Sequence, residues 1–195
     1  MQKSKKMIRL LTNMAMMTAL SIVIGIFCKT VLNFGNGLFR ITFENLPIIL
    51  TGIVLGPIAG GVVGLASDLV SYMLSGQSYP LNIVVTLGAT AIGVLSGLMS
   101  KYVVKRKCKA QIILSASVAH IIGSMLIKSI GLYQFYGILV LWRIPLYLVI
   151  ASVEILLLCL LLTAPMTGNS LKKQKRFLNL TIPNFTMPNL LHPLK

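Results

Sequence analysis

Residues 46–68 read Leu46-Pro-Ile-Ile-Leu-Thr-Gly52-Ile-Val-Leu-Gly56-Pro57-Ile-Ala-Gly60-Gly-Val-Val-Gly64-Leu-Ala-Ser-Asp68. Glycines, two prolines and one carboxylate interrupt an otherwise apolar run. Crossing ~30 Å of hydrocarbon takes about 20 helical residues, and Pro47 and Gly56-Pro57 leave no unbroken piece of that length here. The stretch therefore reads as two short helices joined by a sharp turn. Irregular backbone survives at membrane depth only where protein or a polar cavity surrounds it, and broken helices often border a transporter's substrate. The alternative role for the glycines is close helix packing, through Gly56 to Gly60 and Gly60 to Gly64. Either role puts the stretch inside a helix bundle.

Working outward, residues 41–55 and 58–74 are flanked by apolar tracts at 9–32, 81–104, 111–130 and 137–162, six spans in all. The chain has 195 residues, of which 56% are hydrophobic and 11% charged; soluble domains carry about 25% charged residues. A soluble domain of this length has too little interior to hide so much apolar surface. That excludes an ordinary soluble enzyme or binding module and predicts an all-α integral membrane protein of six transmembrane helices, with the lipid bilayer as solvent. Residues 1–165 would form the bundle. Residues 166–195, a segment with Pro, Lys and Asn, read as a poorly ordered cytoplasmic tail. The first tract lacks a small-residue cleavage signal and reads as a retained helix.

The net charge of +15 comes from 18 Lys and Arg against 3 acids, Glu44, Asp68 and Glu154. Nucleic-acid binding needs a continuous basic face. Here the basic residues gather near 3–9, 101–109 and 172–176, between apolar tracts, as topology determinants do; no nucleic-acid partner is expected. With both termini in the cytoplasm (N-in/C-in), only Lys29, Arg40, Lys128 and Arg143 fall in the outer half. Cys28, Cys108 and Cys159 form no metal-like or redox-like pair. There is no Walker A loop, HExxH, nucleophile elbow or acidic metal cluster. Three scattered acids make no intramembrane active site, so no enzyme activity, catalytic residue or metal site is expected.

Ionisable groups inside spans are costly and call for a reason. Asp68, with Ser67, Ser71 and Tyr72 nearby, either accepts hydrogen bonds from a substrate or braces a broken helix. Arg143 offers a fork that matches a carboxylate beside the aromatic face of Trp142; the pair also suits an interfacial belt. Arg40 and Glu44 read as an i,i+4 pair at a helix start or as the lining of a vestibule. Lys128 follows Ser124 and His120 at one-turn spacings, although a membrane histidine usually bonds helix to helix. Tyr133, Gln134 and Tyr136 are placed in the following loop, and Gln77, Tyr79 and Asn82 around Pro80 in another. All of these fall on the same expected outer side, which argues for an external binding cavity. A small-residue pair, Ala15 and Ala19, leaves a smooth face on the first span.

The stretch from Phe43-Glu-Asn-Leu-Pro47 through Gly64 and Asp68, with the Ala15-xxx-Ala19 pair, resembles the substrate-binding S component of energy-coupling-factor (ECF) vitamin transporters. Arg40-Ile-Thr-Phe-Glu-Asn-Leu-Pro47 and Ser78-Tyr-Pro80 look most like the folate-specific branch, while Leu81-Asn82-Ile83 departs from it. The resemblance covers residues 7–162. It implies a six-helix membrane subunit in the bacterial cytoplasmic membrane that binds folate, or a related anionic vitamin, from outside with high affinity. It implies partners as well: a transmembrane coupling subunit, met through Ala15 and Ala19, and two ATP-hydrolysing subunits. Asn33, Gly35 and Gly37 would belong to a lid over the site. Folate would be the transported ligand, with no catalytic cofactor. Asp68 or Asn82 would face the pterin edge, with Gln77 nearby, and Trp142 with Tyr79 or Tyr136 its faces. Arg40, Lys128 and Arg143 would draw in the carboxylates. Riboflavin is the first rival ligand, and an autonomous small carrier the rival class.

Overall fold

The structure, a computed structural model, describes residues 2–34, 39–74, 82–103 and 108–163. It is helical apart from one small hairpin. Helix α1 is Gln2–Val31, and strands β1 (Asn33–Phe34) and β2 (Phe39–Arg40) pair antiparallel after it. Then come α2 (Asn45–Leu55), α3 (Pro57–Leu74), α4 (Ile83–Leu98), α5 (Cys108–Ala119), α6 (Ser129–Tyr136) and α7 (Arg143–Thr163). Wider π-helical turns extend α4 over Met99–Val103 and join α5 to α6 over His120–Lys128. A 3-10 stretch, Gly137–Trp142, leads into α7.

Among the described residues, five helices are long and apolar enough to cross a membrane. The sixth expected span is α2, whose 11 residues rise only ~16 Å at 1.5 Å each. Pro47 does not interrupt it. The proline stands in the first turn, where a missing N–H costs nothing, and the helix begins only at Asn45. At the other end Gly56 has φ +104° and its N–H bonds the Gly52 carbonyl at 3.1 Å. Pro57 then opens α3 with its φ already set for a helix.

Several expectations change in detail. The basic start of the chain is helical, because α1 extends beyond its apolar part. Arg40 sits in β2, so Arg40 and Glu44 do not share a helix. Tyr133, Gln134 and Tyr136 are not in a loop: they belong to α6, which ends where Gly137 turns with φ +56°. The tail from residue 164, with Gly35, Gly37, Gln77 and Tyr79, lies outside the described residues.

The packing is inverted relative to a soluble protein. Ile58, Met73, Leu11 and Val23 are largely exposed, while Ser21, Thr51, Ser96, Ser115 and Glu154 are buried. Lipid tails solvate the first group, and small or hydrogen-bonded side chains let helices approach closely. The apolar core, including Ile48, Ile49, Val63, Ile92, Ile112 and Leu158, lies where α2, α3, α4, α5 and α7 meet. At one close crossing, glycine meets glycine. A Cβ on Gly93 would strike the Gly60 carbonyl, and one on Gly60 would meet the Gly93 carbonyl at 2.5 Å.

That geometry predicts that Gly93→Val forces α3 from α4 and destabilises the detergent-solubilised protein by about 1–3 kcal/mol, the usual cost of overpacking. Gly56→Ala, where nothing lies within 4 Å of a Cβ but φ +104° and ψ 173° suit essentially glycine alone, is expected to cost about as much, through backbone strain rather than packing. Thermal unfolding of the two purified variants compares them, and equal melting temperatures for Gly93→Val and the parent would contradict the packing.

Candidate functional site

One end of the bundle collects the polar residues. There α1 and α3 finish, α2 and α4 begin, and the His120–Lys128 turn runs into α6; the β1–β2 hairpin lies at the same end. Because α2 is short, its amino-terminal residues Glu44 and Asn45 lie among neighbouring helices, and Asn45 is buried.

The centre of this cluster is Lys128. Its ammonium donates to Asn45 Oδ1 at 3.0 Å and lies 3.5 Å from Glu44 Oε1. The aliphatic stem passes Gly88 of α4, where a Cβ would come 2.7 Å from Lys128 Cγ, so glycine there makes room for the lysine. Glu44 is held from a second side. Its carbonyl accepts from Ser21 Oγ of α1 at 2.8 Å, and its Oε2 lies beside the point where a Cβ on Gly25 would stand, as Ser71 Oγ does. Ser71 in turn accepts from Lys29 Nζ at 2.5 Å. Lys29 therefore turns inward to α3.

Asp68 lies one helical turn before Ser71. Its Oδ2 accepts from Thr86 Oγ1 of α4 at 2.6 Å, tying the end of α3 to the start of α4. Asn82 caps α4: its Oδ1 accepts from Val84 N at 3.0 Å and its Nδ2 donates to Gly131 O at 2.5 Å. Capping satisfies backbone donors that a helix start leaves open, so both ends of the Asn82 amide are engaged in structure. Trp142 is 69% exposed, as an interfacial belt residue would be. Arg40, Tyr136 and Arg143 are located by backbone only, in β2, at the end of α6 and at the start of α7; Asn33 is located the same way in β1.

The cluster thus unites Lys29, Glu44, Asp68, Asn82 and Lys128 at one end of the bundle. It adds Asn45, Ser71 and Thr86, which sequence reasoning had not singled out as site residues. Asn45 and Thr86 carry no charge to mark them; only the position of Asn45 two residues before Pro47, at a helix start, hints at its burial.

A second polar group sits deeper. His120 Nε2 lies 2.8 Å from Glu154 Oε2, and both side chains are buried. Ser124 Oγ lies 3.4 Å from His120 Nδ1. The pair joins the π-helical turn to α7 and serves packing between helices. On α1, Ala15 and Ala19 are exposed one turn apart, flanked by exposed Leu11, Met16 and Val23.

The family model described as "ECF transporter, substrate-specific component" matches residues 9–189. No curated protein matches the chain. Among solved structures, the crystal structure of FolT bound with folic acid is similar in fold. Its TM-score is 0.58 at 19% sequence identity, over 77% of this chain and 87% of that one.

Removing one member of a buried polar pair strands the other and costs several kcal/mol, whereas replacing both by apolar groups is often neutral. His120→Leu is therefore expected to lower the melting temperature sharply, and His120→Leu with Glu154→Leu to recover most of the loss. Fluorescence-detected size exclusion after heating reads both; a double variant as unstable as the single one would contradict the pairing.

Proposed function

Because the chain belongs to the ECF transporter substrate-specific component family, we propose that it is the folate-binding membrane subunit of an ATP-driven vitamin importer. The hairpin end of the bundle faces outward in this reading, with both termini in the bacterial cytoplasm. The observation that carries the reading is the polar cluster of Lys128, Glu44, Asn45, Asp68 and Thr86 at one end of an otherwise apolar bundle. Support for folate rather than another vitamin comes from the similarity in fold to FolT bound with folic acid.

The chemistry of the cluster suits a pterin. A carboxylate accepts the paired N–H donors along the edge of a 2-amino-4-oxopteridine, and Asp68, held by the Thr86 hydroxyl, is the acceptor best placed to do so. Hydrogen bonds to a charged group contribute about 1.5–3 kcal/mol each. Arg40 and Arg143 take the glutamate carboxylates, with Gln77, Tyr79, Tyr136 and Trp142 around the aromatic part. Asn33, Gly35 and Gly37 form the lid. Asn82 contributes by capping α4 rather than by reading the ligand. Ala15 and Ala19 present the face that docks on a coupling subunit, itself joined to two ATPases. In the family, transport is the work of the assembly; this chain supplies capture and selectivity.

A thermal-shift screen with folate, riboflavin, biotin and thiamine tests the reading, since a tight ligand stabilises the native state by mass action. The expected result is stabilisation by folate alone, weakened in Asp68→Asn by roughly ten- to a hundredfold in Kd. Stabilisation by riboflavin instead would reassign the ligand. Folate uptake into vesicles by the purified chain alone would replace the importer subunit with an autonomous carrier.

A further inference from the structure

We infer that Glu44 sets the charge selectivity of the site: it stands where a ligand carboxylate would otherwise be drawn to the lysines, and so reserves that position for uncharged, donor-rich groups. The inference rests on the reading of the cluster as a ligand site, and it concerns a residue to which that reading gives no contact with ligand.

The argument starts from what surrounds the carboxylate. Lys128 is buried and reaches Glu44 Oε1 at 3.5 Å. On the other side, Glu44 Oε2 and Ser71 Oγ border the same point above Gly25, and Ser71 Oγ holds Lys29 Nζ at 2.5 Å. One carboxylate thus stands between two ammonium groups from different helices. Gly25 leaves room for the carboxylate and Gly88 for the Lys128 stem. A Cβ on the first would meet Glu44 Oε2 at 2.9 Å, and one on the second would meet the Lys128 stem.

Among the described residues, this end of the bundle holds two ammonium groups, Lys29 and Lys128, and two carboxylates, Glu44 and Asp68. The inner part is therefore balanced in charge. A second carboxylate arriving beside Glu44 would meet like charge at short range in a poorly hydrated setting, where such repulsion is poorly screened. A neutral ring edge carrying N–H donors meets no such barrier and finds acceptors. Discrimination by repulsion works against wrong ligands as attraction works for right ones. The sequence pointed to Lys128 as a receiver of ligand carboxylates; its engagement with Glu44 and Asn45 moves that task to the rim arginines.

The test compares two probes of similar shape, neutral 6-methylpterin and anionic pterin-6-carboxylate, on the purified full chain in detergent. For the parent, binding favours the neutral probe. In Glu44→Gln the ratio of the two Kd values is expected to shift toward the anionic probe by roughly tenfold or more, about 1.4 kcal/mol. In Lys128→Met it shifts the opposite way. In the double variant, balanced again, it returns to within about threefold of the parent, a spread within the usual context dependence of single interactions. A structural role alone would weaken both probes together and leave the ratio unchanged, so an unchanged ratio in every folded variant overturns the inference. If Glu44→Gln does not fold, Glu44→Asn carries the same test, since it also removes the charge and keeps a polar group. If no pterin or folate binds the parent, the functional reading has failed. The inference is then judged by thermal shift with benzoate, which stabilises Glu44→Gln and not the parent if it holds, and both equally or neither if it is wrong.

Discussion

Where α3 crosses α4, the carbonyl of Gly60 and the α-carbon of Gly93 leave no space for one further carbon atom. Lipid tails are as apolar as leucine, so helices in a bilayer gain little by hiding apolar surface from one another. Close contact between backbones takes over that role, and only glycine permits it. The crossing is reinforced on either side: Gly52 packs against Gly93 and Ser96, Gly64 against Ala89, and Gly97 against Pro57. The polar cluster depends on this approach. Asp68 and Thr86 meet at 2.6 Å because their helices are already in contact a turn away, at Gly64 and Ala89.

Much of this was legible in the chain. Apolar length and basic punctuation located the spans, and Gly56-Pro57 located the turn between α2 and α3. The gathering of Lys29, Asp68, Asn82 and Lys128 at one end follows from counting spans, because alternate helices reverse direction. Partners were not legible. Glu44 pointed to Arg40 by spacing, but that spacing has meaning only on a helix, and α2 starts at Asn45, after both residues. His120 found Glu154, and Lys128 found Asn45, across sequence separations that no local pattern encodes. The glycines were ambiguous between a broken binding helix and tight packing; the contacts of Gly52, Gly60, Gly64, Gly93 and Gly97 put them to packing.

Four basic residues, Lys29, Arg40, Lys128 and Arg143, also divide by where they stand. Lys29 and Lys128 are inward and engaged with Ser71, Asn45 and Glu44. Arg40 and Arg143 stand in the hairpin and at the head of α7, next to the chain segments that border the bundle's mouth. The two interior polar groups, around Lys128 and around Glu154, differ: the first sits among hydroxyls, an amide and a second lysine from α1, α2, α3 and α4, and the second joins the His120–Lys128 turn to α7.

The brevity of α2 bears on how the protein enters its membrane. A segment of 11 residues ending in a glycine turn is too short to cross hydrocarbon on its own, and an isolated insertion would leave Glu44 and Asn45 stranded near the middle of the bilayer. Joined to α3 through Gly56-Pro57, it can be carried in as one limb of a helical hairpin, with its polar head delivered already facing α3. Final burial of Glu44 and Asn45 must then wait for Lys128, which is synthesised more than eighty residues later. The polar cluster is thus completed late in biogenesis, and until α5 and the turn after it arrive, the nascent hairpin has an unfinished polar face for cellular insertion factors to shield.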